Sequence, residues 1–352
     1  MRVRIIQRAE LDPRREALLR LGAVAAALGA SALVMLCMGY NPALLYARIV
    51  EGSLGSAYRF RETVHKAIPL AMLSLGTAVA FRMRFWNIGA EGQFYMGAFG
   101  ASALAFAFPG LPAPLLLSIM LVSAFVFAGL WALIPALLKL RWGTNETLVT
   151  LMLNYVAQKW ITFLQYGPWK DPQGIGFPKI AAFGANAVLP ATGGVHIGWL
   201  LTLAAAGAVW FILKKTKLGF EIAVLGGSET TARYAGLNVF RVCVTAALLS
   251  GGLCGAAGML QASGIERSLS DQLSGGLGFT AVITTWLGHL NPPAVLAVSF
   301  AFSMLIQGGN FLQSALQIPQ AISQILQGII IFFVLGAEFF LRYTFVIERK
   351  KG

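Results

Sequence analysis

The chain has 352 residues, of which 57% are hydrophobic and only 12% charged, and its net charge is +13. A soluble globular chain carries about 25% charged residues, so this composition excludes an ordinary soluble enzyme and a disordered chain. The excess of Lys and Arg is what cytoplasmic loops of a membrane protein collect, so it does not point to a nucleic-acid-binding module.

A bilayer span takes about 20 mostly apolar residues. Hydropathy marks about ten such stretches, at 21–39, 64–82, 91–108, 114–138, 147–166, 197–213, 241–262, 276–290, 293–314 and 319–341. The expected fold is therefore all-α. It is a single polytopic membrane domain over 1–352, with about ten transmembrane helices. Residues 1–20 form a basic N-terminal tail, and the long apolar run after it reads as a retained first helix rather than a cleaved signal. With both termini in the cytoplasm, 19 of the 27 Lys and Arg fall on the inner side. That asymmetry fixes the orientation and leaves 342–352 as a cytoplasmic tail.

Between the first two spans, residues 41–63 are polar with apolar positions at helical spacing, as in an interfacial helix. The third span opens with WNIGAEGQFYMG, which sets Asn87, Glu91 and Gln93 among glycines. A carboxylate at membrane depth is costly, and irregular backbone there must be buried in protein or line a watery cavity. These residues either face a translocation path from a broken helix or cap the helix near the cytoplasmic interface. In the fifth span, Thr144 or Asn145 can serve as N-cap, with Glu146 in the first turn. Asn154 lies deeper, as an interhelical hydrogen bond or a pathway group.

Residues 167–196 form an external loop rich in Gly and Pro, with Trp169 and Trp199 near its edges. The loop is either plain surface or a docking face. The large inner loop, 214–240, contains SETTARYAG. Ser228 suits an N-cap, Glu229 the first turn, and Gly236 a helix stop. The result is a short exposed helix that needs a partner surface, because so short a helix is marginal alone.

In the second half, Gly251, Gly252, Gly255 and Gly258 form a small-residue stripe for close helix packing. SGGLGFT at 274–280 mirrors NIGAEGQ at 87–93. Paired interrupted segments, one near the middle of each half, are a pointer to a transport site. Gln307, Asn310, Gln313, Gln317, Gln320, Gln324 and Gln327 give the last spans a high amide density, as helix glue or as a path for uncharged solutes. Glu338 and Arg342 are spaced for a local pair.

No phosphate-binding loop, no HExxH and no nucleophile elbow occurs, so no catalytic residue is expected. Cys37, Cys243 and Cys254 read as small buried hydrophobes. His65, His196 and His289 are far apart in sequence, and neither a metal site nor a cofactor is expected.

NIGAEGQFYMGAFGA, TNETLVTLMLNYVA, GGSETTARYAGLNVFR, LSGGLCGAAGMLQ, WLGHLNPPAVLAVSFAFSMLIQGG and ILQGIIIFFVLGAEFF occur in this order. They resemble the corresponding segments of bacterial ABC importer permeases of the simple-sugar and nucleoside branch. That branch is related to the ribose and branched-chain amino acid permeases, and the likeness runs over about residues 60–345. The resemblance implies a multi-pass inner-membrane subunit that moves a nucleoside or simple sugar. It implies a second homologous permease, cytoplasmic ATP-binding subunits and an external or periplasmic substrate-binding protein as partners.

By the same resemblance, residues 228–238 are the coupling helix, with Ser228, Glu229, Arg233, Tyr234, Ala235 and Gly236 contacting the ATPase. Asn87, Glu91, Gln93, Asn154, Gln307, Asn310 and Gln324 are the candidates for the path. Thr284, Thr285, Trp286 and His289 depart from the small aliphatic or basic residues expected there. The alternative is an ion-coupled secondary transporter of a small polar solute, for which only Glu91 is a candidate midplane ionisable group.

Overall fold

The fold was read from a computed structural model. It describes residues 2–7, 13–174, 176–319, 321–322, 324–326, 328–329, 332–333, 336 and 343–348. Nearly all of it is helical. Strand β1 (Arg2–Gln7) precedes α1 (Pro13–Cys37), α2 (Pro42–Leu54), α3 (Ala57–Arg82), α4 (Ala90–Ala107), α5 (Ala113–Trp142) and α6 (Glu146–Tyr166). A short hairpin, β2 (Ala191–Thr192) and β3 (Val195–His196), closes the long loop. Then come α7 (Gly198–Lys215), α8 (Lys217–Gly227), α9 (Glu229–Tyr234) and α10 (Val239–Gln261). A π turn at Ala262–Glu266 extends α10, and α11 (Leu277–Leu287), α12 (Pro292–Leu316) and β4 (Tyr343–Glu348) follow.

Five helices among the described residues are long and apolar enough to cross a membrane: α3, α5, α7, α10 with its π turn, and α12. A sixth arises if Ala25–Cys37 and Pro42–Leu54, bent by 113°, make one broken span. Helices stand at the first nine expected positions, and the last stretch, 319–341, lies largely outside the described residues.

Two compact units divide the chain, and the divisions fall inside α3 and α12. The first, Met1–Phe60 with Met304–Gly352, contains the segment read as an interfacial helix. It is α2, capped by Asn41, whose Oδ1 accepts from the Ala43 and Leu44 N–H groups. Leu45 and Ile49 of α2 pack with Met35, Leu312, Ile318, Ile322 and Leu326. In the same unit the two tails read as charged extensions pair as antiparallel β1 and β4, Arg2 opposite Glu348. RVRIIQ and YTFVIE are rich in β-branched and aromatic residues, which favour strands. Cys37 is exposed, unlike the buried hydrophobe expected of it, while Cys243 and Cys254 are buried as expected.

The second unit, Arg61–Ser303, is centred on α10, which packs against α4 and α5. The glycine stripe lets backbones approach. A Cβ on Gly255 would strike the Ala124 carbonyl, one on Gly258 the Phe94 carbonyl, and one on Gly97 of α4 the backbone of Gly255. Dispersion at such short range is the main attraction between helices when the solvent is lipid. By contrast most residues of α5 and α7 are not buried, as in lipid-facing spans.

Candidate functional site: the interrupted helices and the coupling segment

The site lies within the second unit and begins where α3 ends. Arg84 takes a left-handed conformation (φ 55°) and turns the chain back. Trp86 stacks on Trp286, ring centres 5.4 Å apart, with Phe81 5.7 Å from both. Residues 87–89 are irregular backbone leading into α4, and buried amides satisfy them. Asn87 and Gln93 pair through both their amide groups at 3.0 and 2.9 Å, and Asn87 Nδ2 also donates to Ser250 Oγ. Asn87 Oδ1 accepts from Gly89 N–H. Asn154, from α6, donates to the Ile88 carbonyl at 2.9 Å and accepts from Gly92 N–H at 2.8 Å. Asn154 thus makes the interhelical bonds weighed from sequence, whereas Gly89 is the N-cap of α4 and no side chain caps it, so Asn87 braces the turn before the helix rather than capping it.

Glu91, 7% exposed, connects this segment to its mirror. Its Oε2 accepts from Gly278 N–H of α11 at 2.7 Å, and Ser274 and Gly276 donate as well. All three donors are neutral. The half-positive charge of the α11 N-terminus faces the carboxylate. A side chain at Gly278 would collide with the Glu91 backbone, so glycine is required there. One turn along α4, the Tyr95 hydroxyl donates to the Asp271 carbonyl at 2.7 Å and accepts from Ser274 N–H. From α6, Gln158 donates to the same carbonyl and Gln165 accepts from Asp271 N–H. In the irregular leader of α11, the backbone groups of Asp271 and Ser274 are therefore met by side chains of α4 and α6. Irregular backbone at membrane depth requires that. With 11 residues, α11 is about 16 Å long, too short to span.

A second polar seam joins α3 to α11. Ser74 Oγ is 2.6 Å from Thr284 Oγ1, Thr77 Oγ1 is 2.5 Å from Thr285 Oγ1, and Ser299 Oγ donates to Ser74 Oγ. The sequence marks Thr284 and Thr285 only as unusual. A period of three to four along α3 through Ser74, Thr77 and Phe81 is the signal that could have placed their partners.

The inner loop is more helical than expected, because 217–227 form α8 with Thr216 as its cap. The short helix α9 has the expected chemistry. Ser228 Oγ accepts from Thr231 N–H at 3.2 Å, and Arg233 pairs with Glu229 at 2.7 Å. Ala235 N–H closes the last turn onto Thr231, and Gly236 takes φ 74° to stop the helix. Tyr234 is 89% exposed. A cavity of about 740 Å³ opens along α9, lined by Trp86, Lys139, Glu146, Ser228, Glu229 and Arg233 among others. Lys139 and Glu146 pair across that cavity, and Trp86 N–H reaches the same carboxylate at 3.5 Å. Asn145 rather than Thr144 caps α6.

The remaining path candidates belong to the other unit. Gln307 and Asn310 are half-buried on α12, and Gln324 is exposed. Gln320, Gln327, Glu338 and Arg342 lie outside the described residues. Trp169 stacks on Phe99 of α4 at 5.4 Å, so it anchors the long loop to the helices.

Residues 61–335 match the family model described as the branched-chain amino acid transport system / permease component. The chain belongs to this permease family. It is 32% identical to a glucose ABC transporter permease of Haloferax volcanii, across 95% of this chain and 92% of that protein. It is also similar to two distinct guanosine ABC transporter permeases of Bacillus subtilis. One is 30% identical, across 94% of this chain and 96% of its own length. The other is 29% identical, across 68% and 78%. A permease of this family is the multi-pass membrane subunit of an ABC importer. ATP is hydrolysed on separate ATP-binding subunits, and the family works with a substrate-binding protein. ATP, not an ion gradient, is therefore the energy source of the importer.

Proposed function

We propose that this permease carries a nucleoside or simple sugar across a bacterial inner membrane as one ten-span domain with both termini inside. The inner segments in this reading are 1–20, 214–240 and 342–352, and 167–196 is external. A second homologous permease completes the translocation unit. The likeness to two distinct guanosine permeases from one organism supports that pairing.

The observation that carries the coupling part of the reading is α9. It is a capped, ion-paired single helix with an exposed Tyr234 at its end and a cavity of about 740 Å³ at its side. Such a helix is too short to be stable alone and suits insertion into a partner. Ser228 to Gly236 form the contact with the ATP-binding subunit, and Arg233 and Tyr234 supply its polar and apolar handles. Asn87, Glu91, Gln93 and Asn154 hold the interrupted segments that border the path, and Gln307, Asn310 and Gln324 offer amides to an uncharged solute.

The test is co-purification from native membranes, followed by uptake of radiolabelled nucleosides and hexoses by the assembled transporter. An ATP-binding subunit, a second permease and competition by one of these solute classes are expected. A chain that stays alone after cross-linking would remove the coupling reading, and uptake indifferent to both classes would remove the substrate.

A further inference from the structure

Trp286 departs from the residue types expected at its position, and its ring stacks on that of Trp86. Trp86 is itself 45% exposed. A tryptophan at a membrane edge commonly sits among headgroups. Trp86 instead lines a cavity, and it shares the wall with Glu229 and Arg233 of α9 and with the Lys139–Glu146 pair.

Two lines of contact meet at Trp86. The first starts in the inner loop. Ser228 both ends α8 and caps α9, so the two short helices share one joint. Gly226, just before that joint, packs against the end of α3. A Cβ there would strike the Arg82 carbonyl and crowd the Met83 backbone. Movement of α8 toward α3 therefore meets backbone rather than yielding side chains. Arg84 follows in a left-handed conformation at φ 55°. Non-glycine backbone of that kind is costly and gathers at switch regions. Then comes Trp86, whose N–H is 3.5 Å from Glu146 Oε1.

The second line runs to α11. The Trp86 and Trp286 rings are 5.4 Å apart with their planes 24° from parallel, and Phe81 of α3 stands 5.7 Å from both. Stacked aromatic pairs hold a preferred geometry. A little further along the chain, Glu91 accepts from the Gly278 N–H at the opposite end of α11. One short stretch thus grips α11 at two points, Gly278 and Trp286, about 12 Å apart along its axis.

We propose that Trp86 is the positioning residue through which α8 and α9 act on α11. The inference rests on the reading of α9 as the contact with the ATP-binding subunit. Coupling between separated sites passes through packed side chains and rigid elements, and here every link is in contact. Force on α8 reaches Arg82 and Met83 backbone to backbone, turns at Arg84 and displaces the Trp86 ring. Glu146, paired with Lys139, holds the Trp86 backbone to α5 and α6, so the ring is the part left to swing. Because Glu91 grips the other end, displacement at Trp286 tilts α11 about its Gly278 contact.

The test uses the complete transporter in nanodiscs with its ATP-binding subunits, and its main readout needs no knowledge of the solute. Fluorotryptophan is incorporated into this chain, and the fluorine resonances of Trp86 and Trp286 are assigned as those lost in Trp86→Phe and Trp286→Phe. Trapping with Mg-ATP and vanadate should shift both resonances of the unsubstituted protein, with one common ATP dependence. A Trp286 resonance that ignores ATP, or one that moves while Trp86 stays, overturns the inference without reliance on the function of any variant. In Trp86→Leu the ATP-driven shift of Trp286 should be lost while ATP hydrolysis continues; a shift that survives overturns the proposal. Trp142→Leu, at a tryptophan exposed on α5 outside the stack, should leave the shift intact. Arg233→Glu separates the two readings. Loss of the ATP-binding subunit from that variant upholds the α9 contact, and a persistent shift in Trp86→Leu then removes Trp86 alone. An Arg233→Glu transporter that assembles and still shows the shift overturns both.

Discussion

The α4–α5–α10 core and the α8–α9 segment solve opposite problems. In the core, backbone meets backbone across Gly97, Gly255 and Gly258, and every polar side chain of the interrupted segments is spent on another protein group. In α9, the capping and pairing groups are local, Tyr234 points away, and little but Ala232 is buried. Stability is therefore concentrated in the first region and left marginal in the second. A core region can open only as a unit, whereas a short exposed helix is free to exchange its surroundings for a partner.

Substitutions can break this comparison, starting with the largest expected effect. Gly255→Val should cost at least about 3 kcal/mol, because the added carbons meet backbone that has nowhere to go. Yield of monodisperse protein and its thermal midpoint would register this, and a normal midpoint would mean α4 and α10 can separate freely. Asn154→Leu strips the Ile88 carbonyl and Gly92 N–H of their partner. A loss of about 1–3 kcal/mol is expected, toward the low end because polar contacts between membrane helices average less. The midpoint should fall and uptake with it. Ser228→Ala should loosen α9 by about 1 kcal/mol, the usual worth of an N-cap. Hydrogen exchange there should quicken while amides in α10 stay protected; equal quickening in both would merge the two regions into one cooperative unit. Arg233→Glu should change stability by less than about 0.5 kcal/mol, as surface changes do, yet abolish uptake. Retained uptake would remove α9 from the coupling role.

Legibility follows the range of the forces. The α9 reading was available from Ser228, Glu229 and Gly236 because capping, dipole and stop signals act within one turn. The α4 opening was legible because a carboxylate and two amides among glycines are costly in a membrane unless something holds them. What held them was not legible. Nothing in NIGAEGQ names Gly278, and nothing in SLGT at 74–77 names the partner of Ser74. Those contacts join residues about 190 and 210 positions apart. Likewise α8 was missed because its apolar content, KLGFEIAVLGG, lacks the length that hydropathy detects.

The sequence by itself determined the solvent, the helical class, the stripe of close-packing glycines and the exposed capped helix. These follow from composition, period and short-range chemistry, which a linear chain carries locally. Only the tertiary structure decided that Glu91 caps α11, that Asn154 anchors the α4 entry, that the tails pair as strands and that Trp86 stacks on Trp286. Each of those depends on which distant segments share a face, and such pairing is set by the packing of whole helices rather than by any local preference.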